Sequence, residues 1–296
     1  MPSKLNHQAR QINVIDLNRH LKALSADNLI GRKFASEGSQ KAQEYLVTSL
    51  KLAQISPFQG QYQHTFKHEK VFASTKQGTN IIGMVKGYAK PEQYIVLSAH
   101  YDHLGKSRGK IYNGADDNAS GVAALLVYAK QIALAPLQHS VIFLFTDGEE
   151  IDLLGAKAFV KQQESLLNKI IININIDMIA GDKRTKKLHY IHKGLDKVLS
   201  RQNYSHFESF TSSTFPIKMQ YGFRAKMASG MKRVNWINAS DHSAFYHQKI
   251  PVFYFGVGTH KNYHSPNDTF EKVNLDFYAK ASQVILKYIE FIDAHR

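Results

Sequence analysis

Cysteine is absent from this sequence of 296 residues. The absence excludes disulfide bonds and thiolate zinc sites, so any metal ion must be held by histidine, aspartate or glutamate. It leaves the redox compartment open, because a chain without disulfides tolerates oxidising and reducing surroundings alike. Glycine and proline are modest, at 18 and 7 residues, and therefore do not indicate a disordered or fibrous chain.

Long apolar runs are also absent. None approaches the roughly 20 residues that span a bilayer, so we expect no membrane association. The opening stretch MPSKLNHQARQINVIDL lacks the apolar segment of a signal peptide. The sequence is compatible with a cytoplasmic protein, or with a periplasmic or secreted protein from which a leader was removed.

The chain is basic, with 38 lysine and arginine residues, 24 aspartate and glutamate residues and a formal net charge of +14. The excess is concentrated between Asp182 and Arg233, which contain twelve basic residues and three acidic ones. No nucleic-acid motif with interleaved aromatic residues accompanies it, so we expect no nucleic-acid partner. A solvated basic surface is the simpler interpretation, and a basic rim on a substrate cleft is the alternative.

Strand-like and helix-like segments alternate along most of the chain. Apolar runs predict buried strands, namely TNIIGMVKG, QYIVLSAH, SVIFLFT, KIIININI and PVFYFGVG, preceded by the strand-like GQYQHTFKHE. Helices are predicted for SQKAQEYLVTSLKLAQI, SGVAALLVYAKQIAL, LLGAKAFVKQQES and the closing LDFYAKASQVILKYIEFIDAH. This alternation predicts an α/β fold in which helices cover both faces of a largely parallel sheet.

The chain shows no internal repeat, low-complexity tract or linker, which predicts a single domain over residues 1–296. We expect residues 1–28 to form a helical extension at the N-terminus. A monomer is the favoured oligomeric state.

Ionisable residues follow three of the predicted strands, at the edge where such sheets bind ligands. YIVLSA is followed by His100 and, two residues later, by Asp102, a spacing that suits a histidine ligand with an orienting carboxylate. FTDGEE places Glu149 and Glu150 after the next strand, and Asp177 closes the apolar segment NINID. A lone buried aspartate is costly unless it is paired or binds a cation.

The predicted loops contain further candidate site residues. NGADDNASG precedes a helix of small residues and holds more potential caps than one helix needs, including Asp116 and Asp117. YHSPNDT places His264 in a turn, and NASDHSAF contributes Asp241 and His242. Each feature alone has an ordinary structural explanation. Together, two histidines and three carboxylates at one edge form a set of nitrogen and oxygen ligands that matches two zinc-like ions.

A pair of co-catalytic metal ions needs two kinds of carboxylate. One carboxylate can bridge two ions about 3.5–4 Å apart, so that both ions activate water and polarise a carbonyl. Another must stay unligated in order to move protons. The adjacent residues Glu149 and Glu150 supply a metal ligand and a free carboxylate.

The order of these motifs resembles the co-catalytic zinc aminopeptidases, the peptidase family that includes bacterial leucyl aminopeptidase and glutamate carboxypeptidase. Five ordered blocks carry the resemblance: H-x-D, G-A-D-D-N-A-S-G, D-G-E-E-x-x-L-L-G, N-x-D-M and Y-H-S-P-N-D-T. It extends from Leu29 to the C-terminus, since LIGRKFASEGSQKAQEYL is similar to the family's opening helix. The resemblance implies a three-layer α/β/α zinc-exopeptidase (phosphorylase/hydrolase-like) fold with a mostly parallel mixed sheet flanked by helices.

The resemblance also implies ligands for two zinc ions. His100 and Asp177 would bind one ion, Glu150 and His264 the other, and Asp117 would bridge them. In the family, the peptide bond after the bridging aspartate is cis. Asp117-Asn118 is therefore a candidate non-proline cis bond.

The same resemblance implies the reaction. Glu149 matches the general base, which takes a proton from a water that bridges the zinc pair as this water attacks the scissile carbonyl. Asp102 resembles the partner that orients His100, and Asp241 is expected to support the site. Tyr263 corresponds to a tyrosine that helps hold the oxyanion in the carboxypeptidase branch. The predicted function is a zinc-dependent aminopeptidase that removes N-terminal residues from peptides.

Two alternatives share the fold. A glutaminyl cyclase uses a single zinc ion for intramolecular acyl transfer, although GADDNASGVAAL and SDHSAF look more like the hydrolases. A receptor-like binding module would have lost ligands, whereas every ligand position and Glu149 are present here. Histidines outside the ligand set receive no role: His103, His139, His242, His247 and His260. The resemblance also implies that residues 182–240 form a variable segment that shapes the substrate pocket. Trp236 and the aromatic residues of FESFTSSTFPIKMQYGF either shape a specificity pocket or pack in the ordinary way.

Overall fold

The computed structural model describes residues 10–70, 73–211, 215–223 and 234–296. Its helices are α1 (Val14–Leu24), α2 (Glu37–Leu52), α3 (Gly121–Leu134), α4 (Leu154–Gln162), α5 (Leu195–Val198), α6 (Arg201–Thr211), α7 (His242–His247) and α8 (Leu275–His295). Its strands are β1 (Ser56–Pro57), β2 (Gln63–Lys70), β3 (Ala73–Val85), β4 (Lys90–His100), β5 (Gly105–Ser107), β6 (Lys110–Tyr112), β7 (His139–Thr146), β8 (Ile170–Ile176), β9 (Lys187–Lys193), β10 (Lys218–Tyr221) and β11 (Val252–Gly256). None of the helices within these ranges is long and apolar enough to cross a membrane.

One mixed sheet organises the described part of the chain. Its strands run in the order β1, β3, β7, β4, β8, β11, β9, β10, and β2 pairs with β3. The neighbours β7, β4, β8 and β11 are parallel, whereas β3 is antiparallel to β7 and β9 is antiparallel to β11. The parallel strands end level with one another, as the pairing of His100 with Thr146 and of Phe255 with Ile176 shows.

The apolar runs form strands because helices cover both faces of the sheet. Every residue of β7 and β8 is buried. Side chains alternate between the two faces of a strand. Leu97 and Phe143 pack with α1, α2, α3 and α8 on one side, whereas Val96 and Ile142 pack with α4 and α7 on the other. The result is a three-layer α/β/α arrangement, which confirms the predicted fold class.

A chain of buried polar side chains lies in the sheet. Asn173 donates its amide to Ser98 Oγ at 2.9 Å, and Ser98 Oγ donates to Asn175 Oδ1 at 2.7 Å. Asn175 in turn donates to Ser240 Oγ at 2.8 Å. These bonds give partners to the amide N–H groups of the asparagines that interrupt the apolar run KIIININI, whereas the buried Asn173 Oδ1 has no partner among the described residues. They also tie the loop that carries Asp241 to the central strands.

The predicted strands and helices are all present, with ends shifted by a few residues. The structure adds the short strand β1, the hairpin β5–β6, the helices α5 to α7 and the strands β9 and β10. The first five residues of β9 alternate between half-buried and buried, and its last residue, Lys193, is exposed, so this strand lacks the continuous apolar run that marks the central strands. The expected N-terminal extension contains α1, and its residues 1–9 lie outside the described residues. So do residues 212–214 and 224–233 of the basic segment.

Candidate active site

The candidate site lies at the carboxyl ends of the parallel strands. His100 is the last residue of β4, Asp147 follows β7 and Asp177 follows β8. Tyr263 and His264 lie in the loop after β11. Because these strands are adjacent and parallel, side chains that are far apart in sequence meet at one edge. This is the edge at which open α/β sheets bind their ligands.

His100 is central to this edge, and only 1% of its surface is exposed. Its Nε2 lies 3.3 Å from Asp177 Oδ1 and 3.4 Å from Asp117 Oδ1. Burial disfavours a charged imidazole, yet the carboxylates of Glu149 and Asp177 raise the pKa of His100 well above its usual value. The surroundings of His100 therefore favour positive charge.

Asp117 lies in an irregular turn over Ala115–Ser120, which precedes α3. The Asp117-Asn118 peptide bond is cis, as the resemblance implied. Oδ1 of Asp117 faces His100, and Oδ2 lies 3.1 Å from His264 Nε2. A carboxylate whose two oxygens face two different histidines has the arrangement that a bridging ligand requires.

The neighbouring Asp116 contacts different groups. Its Oδ1 accepts hydrogen bonds from the backbone N–H groups of Ala180 and Gly181, at 2.7 and 2.8 Å. Its Oδ2 lies 2.9 Å from His260 Nε2. Asp116 therefore ties the turn to the loops that follow β8 and β11. The adjacent aspartates have separate tasks: Asp117 faces the histidines, and Asp116 holds the loops together.

Asp268, the single acidic residue of YHSPNDT, positions the turn that carries Asp117. It accepts hydrogen bonds from the backbone N–H groups of Asp116 at 2.9 Å and of Asp117 at 3.0 Å. Burial and the charge of Asp116 raise the pKa of Asp268 to about 6. The sequence interpretation missed this residue, although its place in the same motif as His264 was a usable signal.

The two adjacent glutamates lie on a short 3-10 turn after β7. Gly148 turns the chain there in a left-handed conformation, with φ of 74°. Asp102 accepts hydrogen bonds from the N–H groups of Glu149 at 3.0 Å and Glu150 at 3.4 Å. The Asp102 carboxylate lies 3.7 Å from His100 Nδ1. The backbone carbonyl oxygen of Asp102 is closer to this nitrogen, at 3.2 Å. Asp102 thus contacts both the glutamate turn and His100.

Glu150 lies between two histidines. Its Oε2 is 3.2 Å from His264 Nε2, and its Oε1 is 2.8 Å from His103 Nδ1. Burial and Asp117 oppose its ionisation, but the bonds from His103 and His264 lower the pKa of Glu150. Burial lowers the pKa of His264, but its contacts with Asp117 and Glu150 outweigh this effect and raise the pKa to about 10. His103, which received no role from the sequence, is part of this contact network.

Glu149 is partly exposed and has different surroundings from its neighbour. Desolvation of its carboxylate raises the pKa of Glu149 well above its usual value, and the charges of Asp177 and Asp241 add to this effect. His100 acts in the opposite direction. Asp241 is itself buried and accepts a hydrogen bond from Thr146 Oγ1. Burial raises the pKa of Asp241 to about 7.

Tyr263 stacks on His264. The two ring centroids are 3.8 Å apart, and the ring planes are inclined by 19°. Burial and the charges of Asp117 and Glu150 raise the pKa of the Tyr263 hydroxyl. This phenol therefore remains protonated at neutral pH and is able to donate a hydrogen bond.

Asp147, the remaining carboxylate of FTDGEE, contacts β3 and α2. Its Oδ2 accepts a hydrogen bond from the Thr79 N–H at 3.1 Å and lies 3.5 Å from the Ser39 hydroxyl. Burial and the charge of Asp102 raise the pKa of Asp147 to about 8. Asp147 therefore attaches the end of β7 to its neighbouring elements.

Arg32 is a second residue that the sequence interpretation missed. It is 1% exposed, and burial lowers its pKa to about 10. Its guanidinium donates to four backbone carbonyls, those of Leu24, Tyr101, Asn113 and Gly114. They belong to the end of α1, the loop after β4 and the loop before the Asp117 turn. Arg32 therefore joins three segments beneath the candidate site.

Two groups of side chains in the described ranges bring their ligand atoms within 4.8 Å of one another. His100, Glu149 and Asp177 form one group, and His103, Asp117 and Glu150 form the other. Nitrogen and carboxylate ligands of this kind fit zinc. The predicted ligand His264 belongs to neither group, although it contacts Asp117 and Glu150. Glu149 and His103 belong to these groups but were not among the predicted metal ligands.

Known proteins show the same combination of sequence and fold. The model of peptidase family M28 matches residues 80–289. The chain is 25% identical to a probable leucine aminopeptidase of Arthroderma otae, over 92% of this chain and 73% of that protein. Two other curated relatives are longer, and the chain spans 40% and 45% of their lengths.

Solved structures share the fold at low sequence identity. A zinc aminopeptidase from Bacillus subtilis has a TM-score of 0.69 and 14% identity, with 95% of each chain covered. A glutaminyl cyclase of Porphyromonas gingivalis has a TM-score of 0.71 and 16% identity, with 95% of this chain and 99% of that chain covered. The family match, by contrast, covers more than half of the sequence and confirms the resemblance that the ordered motifs indicated. The chain therefore belongs to peptidase family M28.

Proposed function

We propose that this protein is a zinc-dependent aminopeptidase that removes N-terminal residues from peptides. The observation that carries the proposal is the placement of Asp117, whose two carboxylate oxygens contact His100 and His264. Asp177 and Glu150 lie beside these histidines. This arrangement, in a chain that belongs to a peptidase family, supports a co-catalytic centre for peptide hydrolysis.

Five side chains would hold two zinc ions: His100 and Asp177 on one side, Glu150 and His264 on the other, and Asp117 between them. Zinc supplies a Lewis acid that polarises a carbonyl and lowers the pKa of water. The chain supplies rigid support for the ligands. His100 ends a buried strand, and Asp268 holds the backbone of Asp117.

Glu149 would act as the general base. It would take the proton from the attacking water and return it to the leaving amine. Its raised pKa and partial exposure support this role, and the bond from its N–H to Asp102 positions the turn. Tyr263 would donate a hydrogen bond to the developing oxyanion, a role supported by its protonated hydroxyl and its stacking on His264.

Glutaminyl cyclisation is the second candidate, because the fold is as similar to a glutaminyl cyclase as to a zinc aminopeptidase. The two activities would differ in the number of zinc ions and in the substrate. The presence of both the His100–Asp177 pair and the Glu150–His264 pair favours hydrolysis with two ions.

The proposal is tested with a panel of aminoacyl-anilides and glutaminyl peptides, with zinc content measured on the same samples. We expect anilide hydrolysis that a chelator abolishes and zinc restores, with two ions bound per chain. Cyclisation with one ion and no hydrolysis would support the second candidate. Failure of zinc-loaded protein to act on either substrate class would contradict both.

Glu149→Gln and Glu150→Gln separate the two carboxylate roles in the same experiment. We expect the Glu149 variant to keep its zinc and to lose about 10²–10⁴-fold in kcat, the usual contribution of a general base. The Glu150 variant should bind less zinc. Because Glu149 also lies among possible ligand atoms, loss of zinc from its variant would identify it as a ligand and refute its assignment as the base.

A further inference from the structure

Exposed basic side chains border the candidate site on two sides. One group lies on the hairpin β5–β6 and the adjoining loop, and the other lies around the starts of β9 and β10 and in the loop after β11. We call the nine residues of these groups the basic rim: Lys33, Lys106, Arg108, Lys110, Lys183, Arg184, Lys186, Lys218 and Lys261.

The first group adjoins the loop that follows His100. Lys33 forms an isolated bridge with His103, and its side chain packs against Gly105 at the start of β5. The hairpin then carries Lys106, Arg108 and Lys110 within five residues of one another. Because His103 contacts Glu150, these cations border the His103 side of the site.

The second group adjoins β9, β10 and β11, which lie beyond β4 and β8 in the strand order of the sheet. β9 is antiparallel to β11, so the start of β9 lies beside the end of β11, at the edge that holds the site. Lys183, Arg184 and Lys186 immediately precede β9, and Lys218 begins β10 at the same level. Lys261 lies in the loop that carries His264.

Carboxylates do not neutralise the basic rim in the described part of the chain. None of its nine residues forms an ion pair there, whereas Lys41, Lys130 and Lys280 on the outer helices do. Three acidic residues of the adjoining loops are buried and accept hydrogen bonds from backbone N–H groups: Asp102, Asp182 and Asp268. Asp27, in the turn before Lys33, is exposed and accepts a hydrogen bond from the Asn113 side chain at 2.7 Å. The cations are therefore available to a ligand.

We infer that the basic rim binds acidic peptides, in which aspartate or glutamate side chains follow the N-terminal residue. The inference rests on the proposed aminopeptidase function. A single exposed cation contributes little because salt screens it. Several cations around one cleft raise the local potential and concentrate an anionic substrate there. The rim therefore selects substrates by the charge of the chain beyond the scissile bond.

The test compares the peptides Leu-Glu-Glu-Glu and Leu-Gln-Gln-Gln, with leucine p-nitroanilide as a reference that carries no charge beyond the scissile bond. We expect kcat/KM to be about tenfold higher for the acidic peptide at low salt, and this ratio to approach one in about 0.5 M NaCl. The triple variants K106Q/R108Q/K110Q and K183Q/R184Q/K186Q should each lower the ratio several-fold. Hydrolysis of the anilide should be unchanged in both.

The matched control is K51Q/K161Q/K287Q, which removes the same charge from exposed positions in the C-terminal halves of α2, α4 and α8. It should retain the preference for the acidic peptide. Equal rates on the two peptides would overturn the inference. An equal loss of preference in the control variant would also overturn it, because the effect would then depend on the total charge of the protein. If the anilide and both peptides are all left uncleaved, the proposed function fails instead.

Discussion

The environment of the His103 side chain is set by a residue that is distant in sequence. Its Nδ1 lies 2.8 Å from Glu150 Oε1, while its buried Nε2 has no hydrogen-bond partner among the described residues. A carboxylate only accepts hydrogen bonds, so the proton belongs on Nδ1. His103 then holds Oε1 of Glu150, and the other oxygen is left to contact His264. Gly114 leaves room for the ring, because a Cβ there would lie 2.6 Å from it.

Substitution of His103 distinguishes a hydrogen-bond donor from a metal ligand. The Asn amide nitrogen can replace Nδ1 as a donor, whereas Leu cannot donate. We expect His103→Leu to weaken zinc binding about 10–100-fold, as the loss of a group that orients a ligand does, and His103→Asn to stay near the native affinity. Calorimetric zinc titration measures both. Equal weakening in the two variants would show that His103 binds the metal directly, and His247→Leu, at an exposed position, serves as control.

At the scale of elements, the site depends on how loops are attached to the rigid sheet. Asp102 holds the glutamate turn, Asp268 holds the turn of Asp117, and Asp116 links that turn to the chain after β8. Arg32 joins the loop after β4 to the loop before α3. Each loop is thus fixed by a buried charged side chain that bonds to backbone groups.

Arg32→Lys should weaken this attachment. Lysine keeps the charge, but its three donors share one nitrogen and cannot reach four carbonyls that the guanidinium spans. We expect the free energy of unfolding in urea to fall by about 2–4 kcal/mol, since hydrogen bonds of a charged group contribute about 1.5–3 kcal/mol each. Arg19→Lys, at a side chain that is 60% exposed, should change it by less than about 0.5 kcal/mol. Similar losses in both variants would contradict the assigned role.

At the scale of the whole molecule, a strongly basic chain encloses a concentrated group of carboxylates. These carboxylates meet at the carboxyl edge of the sheet: Asp102, Asp116, Asp117, Asp147, Glu149, Glu150, Asp177, Asp241 and Asp268. Burial and repulsion by neighbouring carboxylates raise the pKa values of five of them, namely Asp147, Glu149, Asp177, Asp241 and Asp268. Divalent cations at this edge would offset the repulsion and stabilise the fold.

Metal removal should therefore lower the melting temperature. One zinc ion at 100 times its dissociation constant stabilises a protein by about 2.7 kcal/mol, which corresponds to roughly 4–5 °C in a domain of this size. We expect a fall of this order for each ion that a chelator removes, with recovery when zinc is added, measured by calorimetry. The Glu150→Gln variant should show a smaller fall. A melting temperature that does not respond to chelator or zinc would count against the metal sites.

The elements that the sequence predicted best are those with an unambiguous apolar pattern. β7 and β8 are continuous apolar runs because helices cover them on both sides. β9 and the hairpin β5–β6 lack such runs, since they are only partly covered, and they were not predicted. The assignments of Asp117 and Glu149 came from the order of the motifs. Their metal-binding and catalytic roles stay predictions.

By itself, the sequence determined the α/β layering and the family, because apolar periodicity and local motifs depend on residues that are close together in the chain. It also determined which ionisable residues end the central strands. Only the tertiary structure decided how these residues are held. Asp268 bonds to a turn 152 positions away, Arg32 to a loop 81 positions away, and Glu150 lies 47 positions from His103. Such contacts depend on the folding of the sheet, and no local pattern in the chain encodes them.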